Sequence, residues 1–287
     1  MSTVSPSGTP SLAELRQEID RIDEAMHRLL MARGEIIDRL IAVKRTQESG
    51  SAFRPAREAE MMRRLVERHA GILPLDTAES IWRVIIATFT YVQAPYAVHA
   101  DVSAGEAAMR DSARFHFGFT VPFVTHITAA AAVAAVAASN GDLALVPATL
   151  VSGAPWWAAL EPDTGPKIIA RLPFVERSDH PAALPVFVVS RAAPNTLVTE
   201  VEVVSVRVSG WTAAAAQALS PLAEVVAVPD RALEGAALLI SLPQGCDRAQ
   251  VNAVLVKAGA SVRSMALVGS HATRYMVGPS GVGPIGR

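Results

Sequence analysis

One long amphipathic stretch, residues 11–45, most constrains what this chain can fold into. It reads SLAELRQEIDRIDEAMHRLLMARGEIIDRLIAVKR and contains no proline. Ser11 stands three residues before Glu14, which is the spacing of a helix capping box. Apolar residues recur at steps of three, four or seven, as on one face of a helix, at Leu12, Leu15, Ile19, Ile22, Met26, Leu29, Ile36 and Leu40.

The predicted helix is too long to be covered by one small domain. At 1.5 Å per residue it extends for about 50 Å. Most of the stability of such a helix comes from packing of its apolar face rather than from helix propensity. We therefore expect a second helix layer or a second chain against the stripe, and a homodimer is the simplest arrangement that provides one.

Three cations on this helix are candidate ligand-binding residues. Arg33 and Lys44 are eleven residues apart, close to three whole turns, so they project from one face about 16 Å apart and can converge on a small anion. Arg16 lies about 25 Å from Arg33, too far to reach the same small ligand. If Arg16 serves a binding site, that site belongs to a neighbouring chain. Taken singly, each cation is more typical of a solvated helix charge.

Two further helices follow and extend the set of polar candidates. Residues 53–70, FRPAREAEMMRRLVERHA, predict a short loop and a second helix with Arg57 and Glu58 in its opening. Residues 75–93, LDTAESIWRVIIATFTYVQ, predict a third helix that ends at Gln93. Three helices therefore carry an ordered series of basic, acidic and amide side chains.

This series resembles the all-helical chorismate mutase family over about the first 95 residues. The matching pattern is LRQEIDRIDEAMHRLLMAR, then AVK, then RPAREAE, then a terminal Gln. The resemblance implies an all-α, three-helix domain at residues 11–95, built as an intertwined homodimer whose long first helix crosses between protomers. It also implies chorismate as the substrate and prephenate as the product, with no cofactor and no metal.

The resemblance assigns a role to each candidate side chain. It implies that Arg16 reaches into the partner's site and that Arg33 pairs a substrate carboxylate. It implies that Lys44 and Gln93 hydrogen-bond the ether oxygen. The remaining two, Arg57 and Glu58, would line the same pocket, with Glu58 taking the substrate hydroxyl.

Two positions depart from the best-known bacterial pattern of that family. Arg54 stands in the loop before the second helix, where the pattern has an aspartate. Phe89 stands one turn before Gln93, where the pattern has a serine.

The residue types suit the chemistry of a sigmatropic rearrangement, which moves no proton and expels no leaving group. Guanidinium groups hold carboxylates bidentately and fix the reactive conformer. Donors at the ether oxygen meet the negative charge that grows there as the bond breaks. Such a site needs neither a nucleophile nor a metal ion.

Composition excludes several other classes of protein. The 287 residues are 51% hydrophobic, enough for two domains with sizeable cores. A pI near 6.7 argues against a nucleic-acid binder, and one cysteine suits a reducing compartment. Residues 1–10 lack the features of a signal peptide, and the longest apolar run, residues 127–138, is too short to span a membrane. We expect a soluble, cytoplasmic protein that binds neither nucleic acid nor membrane.

The second half has a different composition, rich in Ala, Val, Pro and Gly, and predicts a multi-domain chain. Residues 96–111 read as a linker, and residues 112–195 as an α/β region with a buried strand at Leu143–Pro147. Residues 196–276 predict strand, helix, two strands, helix and strand, the βαββαβ order of a ferredoxin-like unit. The predicted disordered tails are residues 1–10 and 277–287.

This half resembles the remainder of the bifunctional enzymes that join chorismate mutase to prephenate dehydratase and an ACT domain. The segments ARFHFG, NGDLALVP with Ser152 and Gly153 after it, and VFVVSR are similar to dehydratase strands, and VRSMALVGSH is similar to the end of an ACT domain. Only about forty residues separate the second and third segments, where the dehydratase family has a whole lobe. The family's Thr-Arg-Phe motif is replaced by Pro185, Val186 and Phe187, so we expect a truncated dehydratase-like region without catalysis.

Three alternative functions stay open at this point. The chain could be a bifunctional mutase and dehydratase, although the missing Thr-Arg pair argues against dehydration. It could be an isochorismate pyruvate lyase, since that enzyme uses the same helical fold and similar cations. It could also be a non-catalytic protein whose second half recruits a partner or senses an aromatic amino acid.

Overall fold

The computed structural model describes residues 10–44, 53–149, 154–180, 184–191, 200–231 and 234–278. The chain forms two compact units, residues 1–48 and residues 49–287. The predicted disordered tails fall almost entirely outside the described residues, at 1–9 and 279–287, and so do Ser152 and Gly153. In the described part of the chain, no helix is both long enough and apolar enough to cross a membrane.

The first unit contains the predicted long helix, α1, Leu12–Lys44, which confirms the interpretation of residues 11–45. The capping box is present: the Ser11 amide donates to the Glu14 carboxylate at 2.7 Å, and the Glu14 amide donates to Ser11 Oγ at 3.2 Å. The apolar stripe is exposed along most of the helix, with Leu12 at 65%, Leu29 at 71% and Ile36 at 56%. A surface of this kind is typical of an interface whose partner is not part of the unit.

The second unit opens with the two other predicted helices, α2, Pro55–Arg68, and α3, Leu75–Gln93. Proline at the first position of α2 suits a helix start, since its missing N–H would have no intrahelical partner there. One face of α3 is buried and includes the apolar residues Ala78, Ile86 and Ala87. The same face carries the charged residues Asp76, Glu79 and Arg83.

Among the residues that the structure describes, eleven strands, four more α-helices and one 3-10 helix follow. The sheet region contains β1 (Val98–Asp101), α4 (Glu106–Phe117), β2 (Phe123–His126), α5 (Ala129–Ala138), β3 (Leu143–Pro147), a 3-10 helix (Trp156–Leu160), β4 (Lys167–Leu172), β5 (Val175–Glu176), β6 (Val186–Ser190), β7 (Val201–Ser209), α6 (Ala213–Leu219), β8 (Glu224–Asp230), β9 (Gly235–Leu242), α7 (Arg248–Lys257), β10 (Ser261–His271) and β11 (Tyr275–Met276). Nine strands form one mixed sheet in the order β2-β1-β3-β6-β4-β10-β7-β9-β8, and β5 pairs with β11 separately.

The interpretation of residues 96–111 as a linker is wrong. Val98–Asp101 forms β1, which pairs in parallel with β2 on one side and β3 on the other, and α4 begins at Glu106. The segment VHAD is only four residues long and half polar, so it lacks the apolar run that predicts a buried strand. Its burial comes from the two neighbouring strands, which a local pattern does not report.

The last part of the chain contains the predicted alternation of strands and helices. Strands β7 to β10 with α6 and α7 follow the order βαββαβ, and β10, β7, β9 and β8 lie side by side with every neighbouring pair antiparallel. The helices begin at residues with side-chain caps, Thr212 for α6 and Asp247 for α7. The apolar faces of both helices and of the sheet form one buried cluster.

Strand β10 pairs with β4 at a glycine, and this pairing connects strands β1 to β4 and β6 with strands β7 to β10 in the nine-stranded sheet. The boundary predicted at residue 195 falls between β6 and β7, which lie in the same sheet, and β10 meets β4 where Gly269 pairs with Ile168. Gly269 has a φ of +147°, and a Cβ there would overlap the Ile168 carbonyl oxygen. Only glycine permits this close approach of two backbones.

Substitution Gly269→Ala should therefore destabilise the second unit by about 1 to 3 kcal/mol or more, as overpacking does in a filled core. Chemical denaturation monitored by circular dichroism measures this loss. Gly245→Ala is the matched control, because Gly245 also has a positive φ, +90°, but a Cβ there would contact nothing within 4 Å. Equal losses in the two variants would show that backbone conformation, and not the approach to Ile168, controls this position.

Candidate active site

Of the three candidate cations on α1, Arg16 and Arg33 have side chains that the structure describes. Arg16 is exposed and Arg33 is half-buried, and both lie on one continuous helix, so the predicted separation of about 25 Å follows from the helical rise. Lys44 is the last residue of α1, and its side chain lies outside the described part of the chain. Within this chain the structure does not bring Arg16 and Arg33 together.

The other candidates lie on α2 and α3. Arg57 is exposed, whereas Glu58, the next residue, is 4% exposed. Gln93 ends α3, and its side-chain Nε2 donates to the Phe89 carbonyl oxygen at 2.9 Å. Phe89, one of the two positions that depart from the family pattern, thus contacts Gln93 through its backbone.

Glu58 forms a buried ion pair with Arg83 on α3, a residue that the sequence interpretation missed. Nη1 of Arg83 donates to Oε2 of Glu58, and the two side chains are 1% and 5% exposed. Burial raises the pKa of Glu58 above its ordinary value, and the charge of Arg83 offsets part of that increase. A charged carboxylate so far from water needs a cation or hydrogen-bond donors beside it, and Arg83 supplies both.

The guanidinium of Arg83 lies between two aromatic rings. Its central carbon is 5.6 Å from the ring centre of Phe117 and 5.8 Å from that of Phe174. This geometry is that of cation–π contacts in a dry environment. Among the described residues, Nε and Nη2 of Arg83 donate to no acceptor.

Glu79, one turn before Arg83 on α3, ties that helix to the sheet region. Its carboxylate accepts the backbone N–H groups of Phe174 and Val175, each at 2.8 Å. Burial raises the pKa of Glu79 to about 7, against the opposing effect of these hydrogen bonds and of Arg83. The carboxylate therefore anchors a backbone segment between β4 and β5.

Asp76 and His116 are two further buried polar residues of this region. Asp76 Oδ2 accepts from Arg177 Nη1 at 3.3 Å and lies 3.2 Å from His180 Nε2. His116 on α4 is fully buried, and burial together with the charge of Arg83 lowers its pKa well below the ordinary value. The network joins α2 and α3 to the backbone between β4 and β5 and to the loop after β5.

A sequence signal for the network does exist. Asp76, Glu79 and Arg83 are spaced by three and four residues, so they share one face of α3 with the buried Ile86 and Ala87. Charged residues on an apolar stripe indicate buried pairs, but their partners are distant in the chain and the stripe does not identify them.

A second charged cluster surrounds a cavity of about 440 Å³ beside β4, β8 and β10. Arg171 pairs with Glu224, and Arg274 pairs with both Glu176 and Glu224, the latter at 2.6 Å. Burial and the neighbouring Arg274 lower the pKa of Arg171 to about 10. Each guanidinium here has a carboxylate partner, which is the pattern of structural ion pairs. In the described part of the chain, no group of three or more His, Cys, Asp or Glu could hold a metal ion.

Comparison with known families identifies the first part of the chain. The family model described as chorismate mutase type II matches residues 15–94. The chain carries a chorismate mutase type II domain. The match includes α2, α3 and all of α1 except its first three residues, and it spans all six side chains named above as candidates.

The chain was also compared with curated proteins and with solved structures. A search of curated proteins found no match to this chain. One similar solved structure is described as prephenate dehydratase from Streptococcus mutans, at 13% identity, covering 63% of this chain and 99% of that one, with a TM-score of 0.38. Another is described as GqqA, a novel type of quorum quenching acylases, at 15% identity, covering 62% and 95%, with a TM-score of 0.40. Similarity at this level does not establish a shared fold.

The buried carboxylate of Glu79 in the mutase domain should make stability depend on pH. Its folded pKa of about 7 exceeds the ordinary 4.5, so the folded state binds the proton more tightly than the unfolded state does. Its contribution to the free energy of unfolding is full below about pH 4.5 and is lost as the pH rises to about 7, in total about 3 to 4 kcal/mol at about 1.4 kcal/mol per pKa unit.

Unfolding in urea at several pH values tests this expectation. The free energy of unfolding of the natural chain, relative to Glu79→Gln, should fall between about pH 4.5 and pH 7. Glu106→Gln, which removes an exposed carboxylate on α4, should follow the natural chain throughout. Parallel curves for the natural chain and Glu79→Gln would contradict the expectation.

Proposed function

We propose that this protein is a chorismate mutase that rearranges chorismate to prephenate without a cofactor. The observation that carries the proposal is the match of residues 15–94 to the chorismate mutase type II family, since every side chain that the mechanism needs lies inside it. These side chains are Arg16, Arg33, Lys44, Arg57, Glu58 and Gln93.

The mechanism uses these side chains to hold the substrate and to stabilise developing charge. Arginine side chains bind the two carboxylates of chorismate bidentately, which fixes the conformer in which the two reacting carbons meet. Lys44 and Gln93 donate to the ether oxygen, where negative charge grows as the carbon–oxygen bond breaks. The Glu58 carboxylate accepts a hydrogen bond from the substrate hydroxyl. All bonds form and break within the substrate, so no proton is transferred to the protein.

We further propose that the active enzyme is a homodimer with sites shared between chains. The exposed apolar stripe of α1 supports this, because a second copy of the same helix supplies a surface of matching length and character. The separation of about 25 Å between Arg16 and Arg33 supports it too, because the two cannot hold one chorismate within a protomer. Arg16 then completes the site of the partner.

For the second half we propose a dehydratase-like region without catalysis at residues 112–195 and an ACT-like, ferredoxin-like unit at residues 196–276. The βαββαβ order and the antiparallel arrangement β10-β7-β9-β8 support the second assignment. Replacement of the Thr-Arg pair of the dehydratase motif by Pro185 and Val186 supports the absence of dehydration.

A direct assay tests the proposed function. Purified protein should consume chorismate and release prephenate, followed by the loss of chorismate absorbance and by chromatography of the product. Incubation with isochorismate, with detection of salicylate and pyruvate, tests the lyase alternative, and conversion of prephenate to phenylpyruvate tests the dehydratase alternative. Protein that is folded and leaves chorismate unchanged would overturn the proposal.

Subunit mixing should reveal shared sites. Arg16→Ala or Arg33→Ala alone should abolish most activity, because loss of a partner to a buried carboxylate costs about 2 to 5 kcal/mol. When the two variants exchange subunits, about half of the dimers are mixed, and each mixed dimer regains one of two sites. Activity should therefore recover to about a quarter of the natural level, if random exchange between equal amounts is complete.

Arg28→Ala is the matched control for this experiment. Arg28 is an exposed cation of α1 paired with Glu24, and such surface pairs contribute about 0 to 1 kcal/mol. The variant should keep its activity, and mixing it with Arg33→Ala should give only the average of the two. Mixed dimers confirmed by mass spectrometry that show no recovery would exclude shared sites.

A further inference from the structure

Arg83 connects the mutase helices to the sheet region at one buried point. Its Nη1 donates to Glu58, which lies on α2. Its guanidinium lies between Phe117, the last residue of α4, and Phe174, which stands between β4 and β5. Both rings come from the part of the chain that follows the mutase domain, so residues outside the family match hold a side chain inside it.

Glu58 depends on this arginine for its charge. A buried carboxylate favours its neutral form unless a cation lies beside it, and Arg83 is the cation that donates to Glu58. Arg57, its neighbour in the sequence, is exposed. The orientation of the Glu58 carboxylate is likewise set by the Nη1 donor, because a charged hydrogen bond has a narrow preferred geometry.

We propose that Arg83 is the positioning residue of Glu58 in the mutase site, and that the sheet region holds Arg83 in place through Phe117 and Phe174. The inference rests on the proposed function, since Glu58 acts on the substrate hydroxyl only if chorismate is the substrate. By holding Arg83, the second half of the chain contributes to the mutase reaction, and this contribution requires neither dehydratase chemistry nor an effector.

Other titratable groups face this ion pair and have to be separated from Glu58 in any pH experiment. Those on the packed elements are Glu79 and Asp76 on α3, Tyr96 after α3, His116 on α4 and His180 after β5. Burial raises the pKa values of Glu79 and Tyr96 and lowers that of His116. In the pH profile of kcat/KM, the acid limb is the fall in activity toward low pH. A variant that lacks the Glu58 carboxylate is therefore needed to assign this acid limb to a residue.

The experiment measures kcat and KM for chorismate from about pH 5 to about pH 9 with the full chain. Arg83→Gln should move the acid limb of kcat/KM up by about 1 to 3 pH units, because an opposite charge within about 4 to 6 Å lowers a carboxyl pKa by that amount. Arg83→Lys keeps the charge and should return the limb toward its natural position. Glu58→Gln should lack the limb, and the double variant Glu58→Gln with Arg83→Gln should share its profile.

The outcomes separate this inference from the proposed function. Natural protein that does not turn over chorismate overturns the proposed function and this inference with it. Natural protein that is active, with an Arg83→Gln variant whose kcat/KM falls by one factor at every pH, overturns the inference alone, because a merely structural arginine would give that result. A limb that persists in Glu58→Gln belongs to another group and also overturns it.

Phe174→Leu tests the part played by the sheet region and serves where Arg83→Gln does not fold. It should move the acid limb in the same direction as Arg83→Gln but less far, because the guanidinium keeps its charge and loses one ring. Ile86→Val is the matched control, a small apolar deletion in the buried face of α3, and should leave the limb in place. Folding of each variant is checked by circular dichroism. A limb that does not move in folded Phe174→Leu overturns the role of the sheet region.

Discussion

The burial of charge on α3 is the constraint on which the rest of the second unit depends. Asp76, Glu79 and Arg83 lie on the buried face of that helix, and each would be unstable there without a partner. The partners come from α2, from the backbone after β4 and from the loop after β5. Because these hydrogen bonds require a narrow geometry, they fix the register of α3 against the sheet region more tightly than apolar packing alone does.

This constraint changes how the mutase domain relates to the rest of the chain. The family match treats residues 15–94 as one module, but α2 and α3 lie in the same compact unit as the nine-stranded sheet, while α1 lies in the other unit. Glu58 and Gln93 therefore belong to the compact unit that contains the sheet. The cations Arg16 and Arg33 belong to a helix whose apolar stripe is still exposed and whose covering we assign to a second copy of the chain.

Local sequence patterns predicted most of the helices and strands. The long helix was found within a residue at each end, because period, capping box and absence of proline all agreed, and α3 and β3 were found at their observed limits. The strand β1 was missed and its segment was interpreted as a linker, because four half-polar residues carry no period of their own. Its two neighbours in the sheet supply the burial that defines it.

The sequence by itself determined which side chains the mutase domain offers for chemistry, because the identity and order of its basic, acidic and amide residues are read directly from the chain. It also determined the length of α1 and hence the distance between Arg16 and Arg33. Only the tertiary structure decided that Glu58 pairs with Arg83 and that the Arg83 guanidinium lies against the rings of Phe117 and Phe174. The physical reason is that helical period shows which residues share a face, whereas the partner of a buried charge is chosen by long-range packing between segments far apart in the chain.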